Sequence, residues 1–570
     1  MHTITIQRSF LPETITLNSW EQVERFFTDL LSRDISSVPA LHQWLHDRSE
    51  LETFLSEEAG WRYIRMSCDT ANEELAAAFN FFVGEIQPKI APLSHQLDLM
   101  LLGSPALPAI DCPPYSIMLR QIRKRTEIFR EENIPIIAEL QQQEQEYSAI
   151  TGAMTIEHEG REMTLQQASN YLEGSDRDLR ESVFRKVNER RLADKEKLDN
   201  LFNQLIAKRH QLALNAGFDN YRDYMFAYLG RFDYTPQDCF LFHASVENKI
   251  VPLLDNIDQL HAKELGLERL MPWDTAAVKS GEKPLKPFDG ADDLMQKTID
   301  CFSEIDIFLG ECMLAMKAAG RLDLESRKGK APGGYNYPLY ETGLPFIFMN
   351  STNTLRDMVT MVHEGGHAVQ SILNKSLELV DFKNLPSEVA ELASMSMELI
   401  TMEHWHHFFK EESDLRRAKR KHLEDVLKGL TWISCIDAFQ HWLYTHPTHT
   451  VQQRDEAWRS CYHRFSGKMP DWTGCEQYRD NLWQKQLHIF EVPFYYIEYG
   501  FAQLGAIAVW KNYRNAPEET IENYRKALSL GYTHSIGEVY ETAGVRFDFS
   551  TSYVSELSDF VLQEWKKLVD

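Results

Sequence analysis

Residues 363–367 read His-Glu-Gly-Gly-His, two histidines four apart with a glutamate after the first. On a helix, positions i and i+4 share a face, so His363 and His367 can present two imidazole nitrogens to one metal ion. Two neutral nitrogens suit Zn²⁺. Glu364 points about 100° away, beside the metal, where it can take a proton from a zinc-bound water. A catalytic zinc keeps one position open, so a third ligand, carboxylate or histidine, is expected downstream. Glu388 and Glu391 both lie on the next expected helix, which starts after Pro386 with Ser387 as cap. Spacing alone does not choose between them. Glu391, Ser394 and Glu398 share a face; if Glu391 binds metal, Glu398 is placed to orient an imidazole N–H.

The helix carrying the motif has its own signals. Leu355, Met358, Val359, Val362, Val369, Ile372 and Leu373 form an apolar stripe, so the helix packs by one face and offers the histidines from another. Thr352, Asn353 or Thr354 can cap its start. Gly365 and Gly366 each cost about 1 kcal/mol in a helix interior, which calls for close approach by a substrate or a neighbouring strand.

Around this motif the chain reads as mostly helical. Segments 18–58, 72–102, 113–147 and 176–216 carry apolar residues at three- and four-residue spacing. Segment 149–166 reads as a hairpin turning at 157–160. Loops are expected at 273–290 and over the glycine-rich 328–334, which lacks the ending of a phosphate loop. The chain has 570 residues, 43% apolar and 25% charged, so bulk disorder is excluded. Its net charge of −25 argues against nucleic acid and anionic membranes as partners. Eight scattered cysteines with no C-x-x-C pair read as reduced core residues. The N-terminus shows no charged segment followed by an apolar one, and no apolar run approaches membrane length, so a cytoplasmic enzyme is expected. The Glu403-His404-Trp405-His406-His407 cluster reads as a helix face without ordered metal. His441, His446 and His449 read as loop and surface residues, and the basic run 416–421 as a solvated face.

The motif, followed by Glu391-Leu392-Ala393-Ser394-Met395-Ser396-Met397-Glu398, resembles the M3 metallopeptidases, whose pattern is H-E-x-G-H and then E-x-(A/P)-S-x-x-x-E about 25 residues on. That likeness selects Glu391 over Glu388. Residues 344–350 with Leu355-Arg356-Asp357 are similar to the family's strand-then-helix lead-in. Residues 488–499, HIFEVPFYYIEY, resemble its oligoendopeptidase F and Pz-peptidase branch, and the 149–166 hairpin is similar to that branch's N-terminal region.

The resemblance implies a mainly α fold: a thermolysin-like zinc peptidase core with a small antiparallel sheet, enclosed by a helical N-terminal region around a deep channel. The pass along the chain sets a boundary near residue 200, between a helical N-terminal region with the hairpin over 1–200 and a catalytic domain over 201–570. One Zn²⁺ per chain is expected on His363, His367 and Glu391, with Glu364 as base and Glu398 behind an imidazole. His488, Tyr495, Tyr496 and Tyr499 are candidate donors to the transition state and substrate, and residues 345–350 a candidate edge strand for the peptide. The implied activity is endopeptidase cleavage of short unfolded peptides. Dipeptide removal from C-termini, as in some relatives, is the alternative, and a non-catalytic peptide-binding protein the third reading. A homo-oligomer is compatible with all three.

Overall fold

The computed structural model describes residues 8–327, 329–331 and 333–569. The first seven residues, on which the reading of the N-terminus rests, and Lys328 and Pro332 of the glycine-rich loop lie outside the described residues. The chain is mostly helical, as its periodicity predicts, and the long periodic segments break where local chemistry requires it. Segment 18–58 becomes Glu21–Ser32 and Val38–Cys68, with Ser37 capping the second helix and Pro39 in its first turn. Segment 176–216 becomes Arg177–Ala193 and Lys195–Asn215, so residue 200 falls inside a helix. The hairpin is shorter than its pattern suggests: strand β1 (Thr155–His158) pairs antiparallel with β2 (Arg161–Thr164). Its two turn residues, Glu159 and Gly160, have φ of 51° and 73°, the left-handed pair that matches strand twist. Ile150 belongs to the preceding Asn133–Gly152 helix, not to the hairpin.

Two compact units are each assembled from three chain segments. The first comprises residues 1–127, 286–418 and 502–547, the second 128–285, 419–501 and 548–570. Within the first unit, β3 (Leu322–Glu325), β4 (Tyr335–Tyr337) and β5 (Phe346–Ser351) form a sheet in the order β3-β5-β4. β4 runs antiparallel to β5 but β3 runs parallel to it, so the sheet is mixed rather than wholly antiparallel. β5 is the central strand, which explains its unbroken buried run Phe346–Met349. Residues 345–350 therefore offer no free edge for a peptide. The outer edge nearest the motif belongs to β4, whose Asn336 donates 3.1 Å to the Glu364 carbonyl. Lys330, its ammonium fully buried, donates to Asp323 and to the carbonyls of Asp323, Glu325 and Met349. It thereby pins the glycine-rich loop across β3 and β5.

Candidate active site

The histidine motif lies in the Leu355–Leu373 helix of the first unit. Thr354 caps it: its hydroxyl accepts from the Asp357 amide at 3.2 Å, and the Asp357 carboxylate accepts from the Thr354 amide at 3.0 Å. The predicted stripe is buried at Leu355, Met358, Val362, Val369 and Ile372. The following helix, Ser387–Thr401, starts behind Pro386; Ser387 is its first helical residue and makes no side-chain cap.

The two glycines are explained by helices, not by a strand. A Cβ on Gly366 would stand 2.6 Å from Ser394 Cα and 2.8 Å from the Ala393 carbonyl oxygen; one on Gly365 would stand 2.7 Å from the Phe302 ring. Gly366 thus lets the motif helix lie backbone against backbone on the helix that carries Glu391. Gly366→Ala should cost about 1–3 kcal/mol from overpacking, offset by at most ~1 kcal/mol of helix propensity, and should weaken metal binding by displacing Glu391. Calorimetry and zinc affinity of that variant measure this; unchanged values would mean the helices can separate freely.

This close packing brings the predicted side chains together. Glu391 Oε2 lies 3.3 Å from His363 Nε2 and 3.7 Å from His367 Nε2. Glu398 Oε1 is 2.6 Å from His363 Nδ1. Ser394 Oγ donates to Glu391 Oε2 at 3.1 Å. Glu388 is buried but is not part of the converging group; its carbonyl accepts from the Tyr540 hydroxyl at 3.0 Å. Burial pushes the Glu364 carboxyl up to about 7, against the pull of His363. Burial likewise lowers His367 to about 4. Burial would raise Glu391, but the hydrogen bond from His363 and the charges of both histidines hold it at about 2. Burial would lower His363, yet its bonds to Glu391 and Glu398 raise it well above the ordinary imidazole range.

The donor set fits a divalent metal. With Nδ1–H committed to Glu398, the Nε2 lone pair of His363 faces the Glu391 carboxylate. Two acceptors in contact require a cation between them: a proton when the pocket is empty of metal, or a metal ion. Two imidazoles and one carboxylate form a three-ligand set that leaves a coordination position open.

The remaining predicted residues lie in the second unit and form their own cluster. The His488 ring centroid is 4.6 Å from that of Tyr496, 6.1 Å from Tyr499 and 6.2 Å from Tyr495. Sequence reasoning missed the side chains that fix this segment. Buried Arg209 donates to the carbonyls of Ile489 and Phe490. Buried Arg231 donates to the Phe494 carbonyl and, at 2.9 Å, to Glu498. Gln440 Oε1 accepts from the Phe494 amide at 2.7 Å. Together they hold Phe494 at φ 68°, a conformation a phenylalanine does not adopt without support.

The histidine-rich segment 403–407 recruits a carboxylate from elsewhere in its unit. Glu304 lies 3.0 Å from His406 and 2.5 Å from His407, while Glu403 pairs with Arg514 at 2.8 Å. His441, read from sequence as a surface residue, is buried in the Glu412–Thr445 helix.

The chain is similar to known proteins. An oligopeptidase PepF from Bacillus subtilis is 23% identical over 394 residues, 66% of this chain and 55% of that protein. An oligoendopeptidase F homolog from Lactococcus lactis is 26% identical over 56% of this chain and 53% of its own length. The chain thus spans about half the length of these curated relatives. The solved structure of Pz peptidase A with an inhibitor superposes with a TM-score of 0.91 at 27% identity, covering 98% of this chain and 99% of that one. The model of the peptidase M3 N-terminal domain matches residues 10–129, extending the likeness well before the hairpin. The model of peptidase family M3 matches residues 170–559, more than half of the chain and all of the motif, and the chain belongs to that family.

Proposed function

We propose that this chain is a zinc-dependent endopeptidase that hydrolyses internal bonds of short unfolded oligopeptides. The observation that carries the reading is the convergence of His363, His367 and Glu391 with Glu364 one residue from the first ligand. In this reading His363, His367 and Glu391 hold one Zn²⁺, and Glu398 fixes the His363 tautomer. Bound there, zinc supplies Lewis-acid chemistry, lowering the pKa of water to about 7 and polarising a carbonyl. Glu364 is the proton carrier. Its buried carboxylate takes the proton of the attacking water and hands it to the leaving amine. A carboxyl raised toward neutrality by burial is suited to both halves of that exchange. His488 and the phenols of Tyr495, Tyr496 and Tyr499 are the candidate donors to the developing oxyanion and the peptide carbonyls. The outer edge of β4, tied to the motif helix through Asn336, is the candidate strand for an extended peptide. We place the activity in the cytoplasm, on cysteines that are mostly buried as thiols.

Extended pairing selects against folded substrates, because unfolding one costs about 5–15 kcal/mol. Peptides of roughly 5–20 residues should be cut, and C-terminal amidation should not protect them, at about 3.3 Å of extended chain per residue. Mass-spectrometric mapping of a peptide ladder, free and amidated, beside a stable globular protein at equal molarity tests this. Cutting confined to the penultimate bond of free C-termini would replace the endopeptidase reading with the dipeptide-removing one. Efficient cutting of the folded protein would exclude the length limit.

A further inference from the structure

We propose a second metal site, in the second unit: a structural divalent transition-metal ion of the zinc class, held by Cys239, Asp437 and His441, with His243 fixing the carboxylate. Cys239 and His243 are i and i+4 on the Pro236–Lys249 helix; Asp437 and His441 are i and i+4 on the Glu412–Thr445 helix. Each pair therefore shares one helix face. Ligand atoms of Cys239, Asp437 and His441 lie within 4.8 Å of one another. Thiolate, carboxylate and imidazole are the donors zinc takes in closed protein sites.

Burial makes the arrangement hard to explain by hydrogen bonding alone. Cys239 and Asp437 are 0% exposed, His243 2% and His441 4%. His243 Nε2 lies 2.8 Å from Asp437 Oδ2, one good hydrogen bond. His441 Nε2 is 3.2 Å from the same oxygen, an ion pair without good hydrogen-bond geometry, and among the described residues His441 Nδ1 and Asp437 Oδ1 have no hydrogen-bond partner. The rings of Phe226, Phe240 and Phe494 pack around His441, and Phe465 lies against His243, apolar faces that supply no hydrogen bond to these imidazoles. A divalent ion would give the Asp437 carboxylate and one ring nitrogen of His441 a partner and balances the charge, since thiolate and carboxylate together contribute minus two. The Cys239 thiol loses its proton to solvent on metal binding, as metal-bound cysteines do. With its ligands this enclosed the ion is structural: it ties two helices, and the burial of Cys239 and Asp437 keeps substrate from its remaining position.

Metal analysis and cobalt spectroscopy of the full-length protein test the site independently of peptidase function. His363→Ala/His367→Ala removes the motif's ligands and should retain one metal per chain where the wild type holds two. Loaded with Co²⁺, the wild type and that variant should show a near-ultraviolet thiolate-to-cobalt band, because the motif contains no thiolate. Cys239→Ser should lose the band and one equivalent. Absence of the band from the cobalt-loaded wild type, or its survival in Cys239→Ser, overturns the proposal. An extra equivalent that Cys239→Ser retains also overturns it, and points to the Glu304–His406–His407 cluster. Should Cys239→Ser fail to fold, the wild-type spectrum and the metal count of the double-histidine variant decide.

Discussion

Glu364→Gln should bind metal as the wild type does and lose peptide turnover by about 10²–10⁴-fold, the usual contribution of a positioned general base. Glutamine keeps the shape of the side chain but cannot accept the proton of the attacking water. Glu364 is not in the converging ligand group, so the ligands stay in place. Folding should not suffer either. The site already disfavours the charge of this buried carboxyl, which sits at about 7, so a neutral amide removes a cost rather than a support. Turnover within roughly tenfold of wild type, below the range for general-base catalysis, would mean that another group carries the proton.

Glu391→Ala should lose one metal equivalent per chain relative to the wild type, and with it all measurable turnover, whereas Glu388→Ala should keep both. Glu391 alone of the two faces both histidine nitrogens, at 3.3 and 3.7 Å. In the proposed site its removal would leave two of three ligands and a His363 imidazole without the Glu391 carboxylate opposite Nε2. Glu388 lies one helical turn earlier and outside the converging group. Elemental analysis of the two purified variants separates them, and the opposite pattern would make Glu388 the ligand.

The parts of this site that sequence exposes are those governed by helical period. His363 and His367 share a face because they are four apart, and Glu391, Ser394 and Glu398 because they are three and seven apart. Geometry of that kind is written along one helix. What joins two helices is not. The closeness of Gly366 to Ser394 Cα explains why two glycines interrupt a helix, yet nothing in the sequence says that the neighbour is a helix rather than a strand. The central place of β5 is hidden for the same reason: a short apolar run is compatible with an edge or a centre, and strand order depends on partners distant in the chain. Arg209 and Arg231 are indistinguishable by type from solvated arginines; only the fold shows them buried and donating to the carbonyls that set the His488–Tyr499 segment. His441 is misread similarly, because its fourfold spacing from Asp437 acquires meaning only when Cys239 lies opposite on another helix.

Zinc restoration of the chelator-stripped protein, read by cleavage of a C-terminally amidated peptide, tests the central claim most directly. The stripped chain should be inert, and cleavage should return as zinc refills the His363–His367 motif; His367→Ala, treated identically, should recover no cleavage. Cleavage at the wild-type rate by the stripped chain, or full recovery in His367→Ala, would contradict a hydrolytic zinc held by this motif.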